Sequence, residues 1–344
     1  MRRRHPSGIL AGDVRVMNDA RARPRILFMS DNDRVLRPTL HILRSLGAEI
    51  AVVGRPEEAL TWLRIHRADL TVVELGDAAP TPAFAELCEV IRAPGWSGGS
   101  KLLALARSRG TERLRALFER GMSNFLGVGD EGEVDPGELA ATVRKILSGD
   151  VFGLDKYMAP GARTLRFEVL SSRQKADVVP AAEAFAAEAG CHQQVAEGFA
   201  TAIDEALTNA LYNAPVDGEG RPLYAHYPRT VPVDLGPGLV VEIALASDGR
   251  RLGMASVDPF GSLSPAVVLD YLSRCFAQRA YAPIEASGGA GLGLYQLFHL
   301  VQHFVINVAP GRRTEVIGLL EVGPSFKRFA MKPKSFNLFV SEAA

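Results

Sequence analysis

From Arg25 to about residue 150 the sequence alternates five times between a short β-rich apolar run and a segment with helical periodicity. The runs are 25–29 (RILFM), 49–53 (EIAVV), 69–75 (DLTVVEL), 101–106 (KLLALA) and 124–128 (NFLGV). Helical patterns cover 34–46, 56–66, 82–92, 111–120 and 135–148, with Gly47, Gly54, Gly110 and Gly121 at the joins. Strand–helix alternation of this kind predicts an α/β domain, a doubly wound five-stranded parallel sheet. The runs are apolar enough for strands covered on both faces.

The remainder reads differently. A strand at 164–170 precedes helical patterns at 174–189 and 191–212, then a Pro/Gly-rich loop through 214–238. Strands follow at 239–246 and 252–257, then a helix near 265–279, glycines at 288–293, a helix to about 303, and a hairpin of 304–309 with 314–321. Segregated helices and strands predict an α+β sandwich. With 344 residues and roughly 150 per domain, two domains are expected. Residues 1–24 read as a disordered leader, 25–150 as the first domain, 151–163 as a linker rich in turn formers, 164–322 as the second domain and 323–344 as a tail. In that tail Phe326, Phe329, Phe336 and Phe339, set among Lys and Arg, suit packing onto the sheet, with a partner-binding peptide as the alternative.

Lys+Arg and Asp+Glu both number 39, so there is no basic excess of the kind that coats nucleic acid. No apolar stretch is long enough for a membrane span, and the Arg-rich start lacks the apolar core of a signal peptide. Three scattered cysteines, Cys88, Cys191 and Cys275, make no disulfide framework and fit a reducing cytoplasm. His299 and His303, four apart on the expected last helix, would form a metal pair, but no third ligand is evident.

Within 24–150, "ILFMSDND", "ADLTVVEL" and "GMSNFL" resemble the first, third and last strands of the receiver domain of two-component signalling. Receiver chemistry needs an attacking carboxylate, flanking acids for Mg²⁺, and a hydroxyl and a lysine for the phosphoryl oxygens. Asp31 and Asp33 stand at the acid positions. The acceptor position holds Glu74, the hydroxyl position Ala106, and the lysine position falls near Val128. These departures predict a degenerate receiver pocket, hence a pseudo-receiver that docks on a partner or on its own second domain.

Three segments of the second half carry candidate chemistry. In "AIDEALTNALYNA" Glu205 and Asn209 lie four apart, on one helical face, suiting a base and a Mg²⁺ ligand. In "SVDPFG" Asp258 follows a strand and can accept from an exocyclic amino group, with Gly261 allowing close backbone approach. In "GGAGLGLYQLFHLV" Gly289, Gly291 and Gly293 lead into a helix whose free N–H groups favour anions. Each also has a plain reading, as a core helix, an Asp-Pro turn and a flexible loop.

In this order the three resemble the GHKL (Bergerat-fold) ATPase superfamily, over about 164–322, and "EALTNA" is similar to the anti-sigma-factor serine kinases. The resemblance implies Mg²⁺ and ATP as cofactors, Glu205 as general base, Asn209 on the metal and Asp258 on adenine. It also implies Gly289, Gly291 and Gly293 around the phosphates, under a lid over about 262–287. Two departures stand out: Asp258 has its glycine at 261 rather than two residues on, and Tyr212 replaces the lysine that histidine kinases often carry three residues after the Asn.

A histidine kinase is disfavoured, because only one strand and one helix separate the receiver-like domain from the Glu205 helix. Two readings remain. The first is a cytoplasmic ATP-dependent serine/threonine kinase acting on a small antagonist or regulatory protein. The alternative is a nucleotide-gated switch that binds a partner with little phosphotransfer. Either is compatible with a homodimer.

Overall fold

The computed structural model describes residues 23–76, 81–92, 101–278 and 290–341. The first half alternates β1 (Arg25–Met29), α1 (Asp33–Ser45), β2 (Glu49–Val53), α2 (Pro56–Ile65), β3 (Leu70–Leu75), α3 (Pro82–Arg92), β4 (Lys101–Ala106), α4 (Thr111–Glu119), β5 (Asn124–Gly127) and α5 (Pro136–Ser148). Its strands pair in parallel in the order β2-β1-β3-β4-β5. This is the doubly wound order in which ligand crevices open beyond the carboxyl ends of β1 and β3. The expected α/β half is therefore present, with strand ends within a residue of those read from the sequence. Local signals start its last helix: Asp135 accepts from Glu138 N at 2.9 Å and Pro136 occupies the first turn. Gly149, at φ 74°, ends it in the left-handed region.

The second half comprises β6 (Arg163–Val169), α6 (Lys175–Glu188), α7 (Gln193–Thr208), β7 (Val241–Ser247), β8 (Arg251–Asp258), α8 (Pro265–Gln278), α9 (Ala290–Leu300), β9 (His303–Ala309), β10 (Arg313–Glu321), α10 (Phe326–Ala330) and β11 (Ser335–Val340). Two separate sheets were the expectation. Instead one eleven-stranded mixed sheet runs β2-β1-β3-β4-β5-β11-β9-β10-β8-β7-β6. The join is β11, which pairs antiparallel with β5 (Phe336 opposite Phe125) and parallel with β9 (Phe336 opposite Phe304). Residues 335–340 of the stretch read as a tail are thus a central strand.

Both apolar layers cross this join. On one face α2, α3 and α4 pack in a common core with α6–α9, through residues such as Leu117, Phe118, Phe276 and Phe298. Phe118 and Phe276 stack with centroids 5.3 Å apart. On the other face α1 and α5 share a core with β8–β10, through Leu43, Leu139, Ile146, Ala255 and Ile317. The expected linker contributes to that second core. Its residues Leu154–Tyr157 form a 3₁₀ turn with Leu154 and Tyr157 buried.

Polar side chains at the join meet one another rather than being excluded, although the buried His303 Nδ1 has no hydrogen-bond partner among the described residues. Asn337, fully buried, donates from Nδ2 to Asn124 Oδ1 at 3.2 Å and accepts at Oδ1 from Thr142 Oγ1 at 3.1 Å. His303 Nε2 lies 2.7 Å from the same oxygen, and burial holds the imidazole below its usual pKa range. A buried network that meets its hydrogen bonds only in one strand register specifies that register. His299 and His303 are not a helical pair: α9 ends at Leu300, and His303 opens β9.

Candidate functional site

At the carboxyl ends of β1 and β3 the receiver-like pocket is closed by hydrogen bonds within the chain. Glu74 accepts from Ser30 Oγ and from Asn32 Nδ2, the latter at 2.9 Å. Asn32 also caps α1, accepting from Arg34 N at 3.2 Å. Asp33, in the first turn of α1, turns away to Arg37 at 2.9 Å, and Asp31 is exposed. Ala106 and Val128 are buried apolar positions. The three carboxylates are therefore not gathered. Among the described residues no group of three or more His, Cys, Asp or Glu is arranged to hold a metal. Ser30 and Asn32, which hold Glu74, went unsingled in the sequence because no spacing rule marks them.

The second set lies elsewhere in the sheet. β3 and β8 are separated by β4, β5, β11, β9 and β10, roughly 30 Å at the usual strand spacing. Glu205 sits in the last turns of α7, and the chain widens into a π turn, Asn209–Asn213, directly after it. Single π turns inside helices recur at functional sites. Burial raises the Glu205 carboxyl above its usual range and Asp204 adds to this, while Lys175 and Arg229 pull the other way. Lys175 itself is held by Asp204 at 2.9 Å and by Thr208 Oγ1 at 2.7 Å.

Asn209 Oδ1 accepts from Asn213 Nδ2 at 2.9 Å, whereas its buried Nδ2 has no hydrogen-bond partner. A buried unpaired amide is costly unless something else satisfies it. Against it lies Gly293, where an added Cβ would stand 2.7 Å from Glu205 Oε2 and 3.2 Å from Asn209 Nδ2. Gly291 and Gly293 fall inside α9 rather than in a loop before it. Gly289, with residues 279–287 of the expected lid, lies outside the described residues, while 265–278 of that lid form α8.

Asp258 ends β8 and is 6% exposed. Its Oδ1 accepts from Phe260 N at 2.9 Å and Gly261 N at 3.3 Å, so the carboxylate caps its own turn. Gly261, at φ 58°, admits the hairpin joining β9 to β10: a Cβ there would stand 2.2 Å from Ala309 O and 2.5 Å from Arg312 N. The close approach at Gly261 is thus made by the protein's own backbone. The turn is tied to the π turn by Ser262 Oγ, which donates to Ala214 O at 2.7 Å. Glu205, Asn209 and Gly293 are therefore in contact, and the Asp258 turn adjoins them. Asn213, four residues after Asn209 in the same segment, and Arg229 also reach this cluster; Arg229 carries no signal in the sequence, because the 214–238 loop has no periodicity.

Burial pushes the Asp258 carboxyl up to about 6, against the pull of the two amides. The folded state thus holds the proton more tightly than an unfolded chain, whose value is near 3.8. The stabilisation is complete below about pH 4 and is lost as pH rises through about 6. Asp258→Asn keeps an acceptor oxygen but no charge. Relative to the wild type it is expected to gain up to about 3 kcal/mol between pH 4 and pH 7. Denaturant unfolding at both pH values checks this, and identical pH responses of the two proteins would contradict it.

No protein-family model matches the chain, and no curated protein matches it. Solved receiver structures match the first part. The chemotaxis response regulator CheY4 of Vibrio cholerae is 18% identical, with 36% of this chain and 99% of that one covered and a TM-score of 0.31. A putative response regulator from Chloroflexus aurantiacus J-10-fl is 24% identical, with 37% and 98% covered and a TM-score of 0.32. The signal receiver domain of a signal transduction histidine kinase from Syntrophus aciditrophicus is 21% identical, with 37% and 92% covered and a TM-score of 0.32. No helix among the described residues is long and apolar enough to cross a membrane.

Proposed function

We propose that this chain is a signalling protein whose second half binds Mg-ATP and transfers its terminal phosphate to a serine or threonine of a protein partner. In this reading the receiver-like half acts without phosphorylation. The observation that carries the reading is the meeting of Glu205, the half-satisfied Asn209 and Gly293 on the face where α7 widens into its π turn. Asn209 Oδ1 keeps a second lone pair for a cation. The sparse donor set suits Mg²⁺, which keeps waters and takes ligands from substrate phosphates instead of an all-protein cage. Glu205, with its raised carboxyl, would orient and deprotonate the acceptor hydroxyl, and Asp258 would offer its remaining carboxylate oxygen to the base.

The capping role of Asp258 favours the second reading, a nucleotide-gated switch that transfers little phosphate, since half of that carboxylate is committed to its own turn. Both readings require nucleotide binding. A ligand that binds only the folded state stabilises it by mass action, about 2.7 kcal/mol at a hundredfold excess over Kd. Millimolar Mg-ATP is therefore expected to raise the melting temperature, and Asp258→Ala to abolish the rise. A wild type with neither a thermal shift nor a calorimetric heat would sink both readings.

A further inference from the structure

We propose that the open edge of the sheet at β6 is a dimerisation surface, and that its occupant is the same edge of a second copy of this chain, paired antiparallel about Phe167. The proposal is independent of the nucleotide reading above.

β6 closes one end of the eleven-stranded sheet, and among the described residues β7 is its sole strand partner. Its other edge therefore presents backbone donors and acceptors that no neighbouring strand takes up, the usual template for an added strand. Side chains alternate between the two faces. Leu165, Phe167 and Val169 face the helical core; Val169 is buried, but Leu165 and Phe167 are only partly covered. Thr164, Arg166 and Glu168 lie on the opposite face and are exposed. Arg166 and Glu168 enter no ion pair among the described residues, unlike Arg163 at the start of the strand, which pairs with Glu188.

Edges are commonly guarded by charge of one sign, which repels a second copy. This edge carries both signs, and Arg166-Phe167-Glu168 is complementary to itself when read antiparallel. With Phe167 opposite Phe167 of the second copy, each Arg166 stands opposite a Glu168 on the exposed face. On the other face the two Phe167 rings meet, and each Leu165 stands opposite a Val169. Opposite charges and apolar pairs directly across neighbouring strands are the contacts that stabilise a sheet. A slide of two residues either way sets Arg166 against Arg166 or Glu168 against Glu168. A slide of one turns the apolar row of one copy onto the charged row of the other. β2, at the far end of the sheet, lacks such a set: its one charge, Glu49, is already paired with Arg25. Pairing through β6 makes the two sheets continuous and leaves the receiver-like halves at the outer ends.

Sedimentation velocity on the full chain across a concentration series tests this. Short strands make a small interface, so wild type is expected to associate reversibly in the micromolar range. Arg166→Glu sets like charges opposite one another at both contacts of the dimer, and so does Glu168→Arg. Each variant is expected to weaken the dimer by roughly 10–100-fold. An equimolar mixture of the two variants restores opposite charges at both contacts and should dimerise as wild type does. The double variant Arg166→Glu/Glu168→Arg should do the same. Both positions are exposed, so the variants should fold, and circular dichroism spectra matching wild type will show it. A wild type that stays monomeric throughout the series would overturn the proposal. So would single variants that dimerise as tightly as wild type, or a mixture or double variant that stays monomeric.

Discussion

Phe336→Ala is expected to destabilise the protein by about 3–5 kcal/mol, the usual loss for an aromatic ring removed from a core. Phe336 is fully buried, and its ring meets those of Phe118 at 5.3 Å, Phe125 at 5.9 Å, Phe304 at 6.0 Å and Phe298 at 6.3 Å. Those partners come from both halves of the chain, so little can collapse into the space without moving one half against the other. Phe28 is equally buried, but its core neighbours lie on the opposite face. Phe28→Ala should cost a similar amount and keep a single unfolding transition. Phe336→Ala should in addition separate the transitions seen by probes in the two halves, because it weakens the element they share. Coincident transitions and a loss under about 1 kcal/mol would contradict the role given to β11.

The second large effect concerns chemistry. On the kinase reading proposed above, Glu205→Ala is expected to lower phosphate transfer by roughly 10²–10⁴, the usual worth of a positioned base, while ATP affinity stays within a few-fold. The separation follows from geometry. Glu205 is one helical turn before Asn209 and beside Gly293, and its raised carboxyl suits proton transfer better than cation binding. Calorimetry for affinity and radiolabel transfer for turnover make the measurement. Loss of ATP binding in this variant would make Glu205 a ligand contact instead. A wild type that binds ATP without transferring phosphate, and whose partner binding survives Glu205→Ala, would favour the switch.

The parts of this fold legible in the sequence are those written locally. Each βα unit announces itself by an apolar run, a periodic helix and a glycine at the join, so β1–β5 and α1–α5 could be placed to within a residue or two. The Glu205–Asn209 pair was legible for the same reason, since four residues make one helical turn. The union of the two sheets was not legible. β11 finds its partners 213 residues away at Asn124 and 34 residues away at His303, and no local pattern encodes such pairing. The stretch 151–163 read as a linker because Gly153, Pro160 and Gly161 outweigh Leu154 and Tyr157, whose burial depends on α5 and β8 being in place. Arg229 reaches the site only through a loop anchored by Tyr212, a contact between residues 17 apart in an aperiodic segment.

The order in which the strands leave the ribosome has a consequence for this architecture. β11 follows every other described strand in the chain, yet it sits between β5 and β9. Until residues 335–340 emerge, β5 and β9 each present an open edge, and the apolar rings beneath them have no strand to rest on. Open edges of this kind pair readily with strands of other nascent chains. The interval of greatest aggregation risk therefore lasts until one six-residue segment, Ser335–Val340, has been made and docks. A chain truncated before Ser335 would be left in that state permanently, so the cell's proteases and chaperones would meet it as two unfinished sheets.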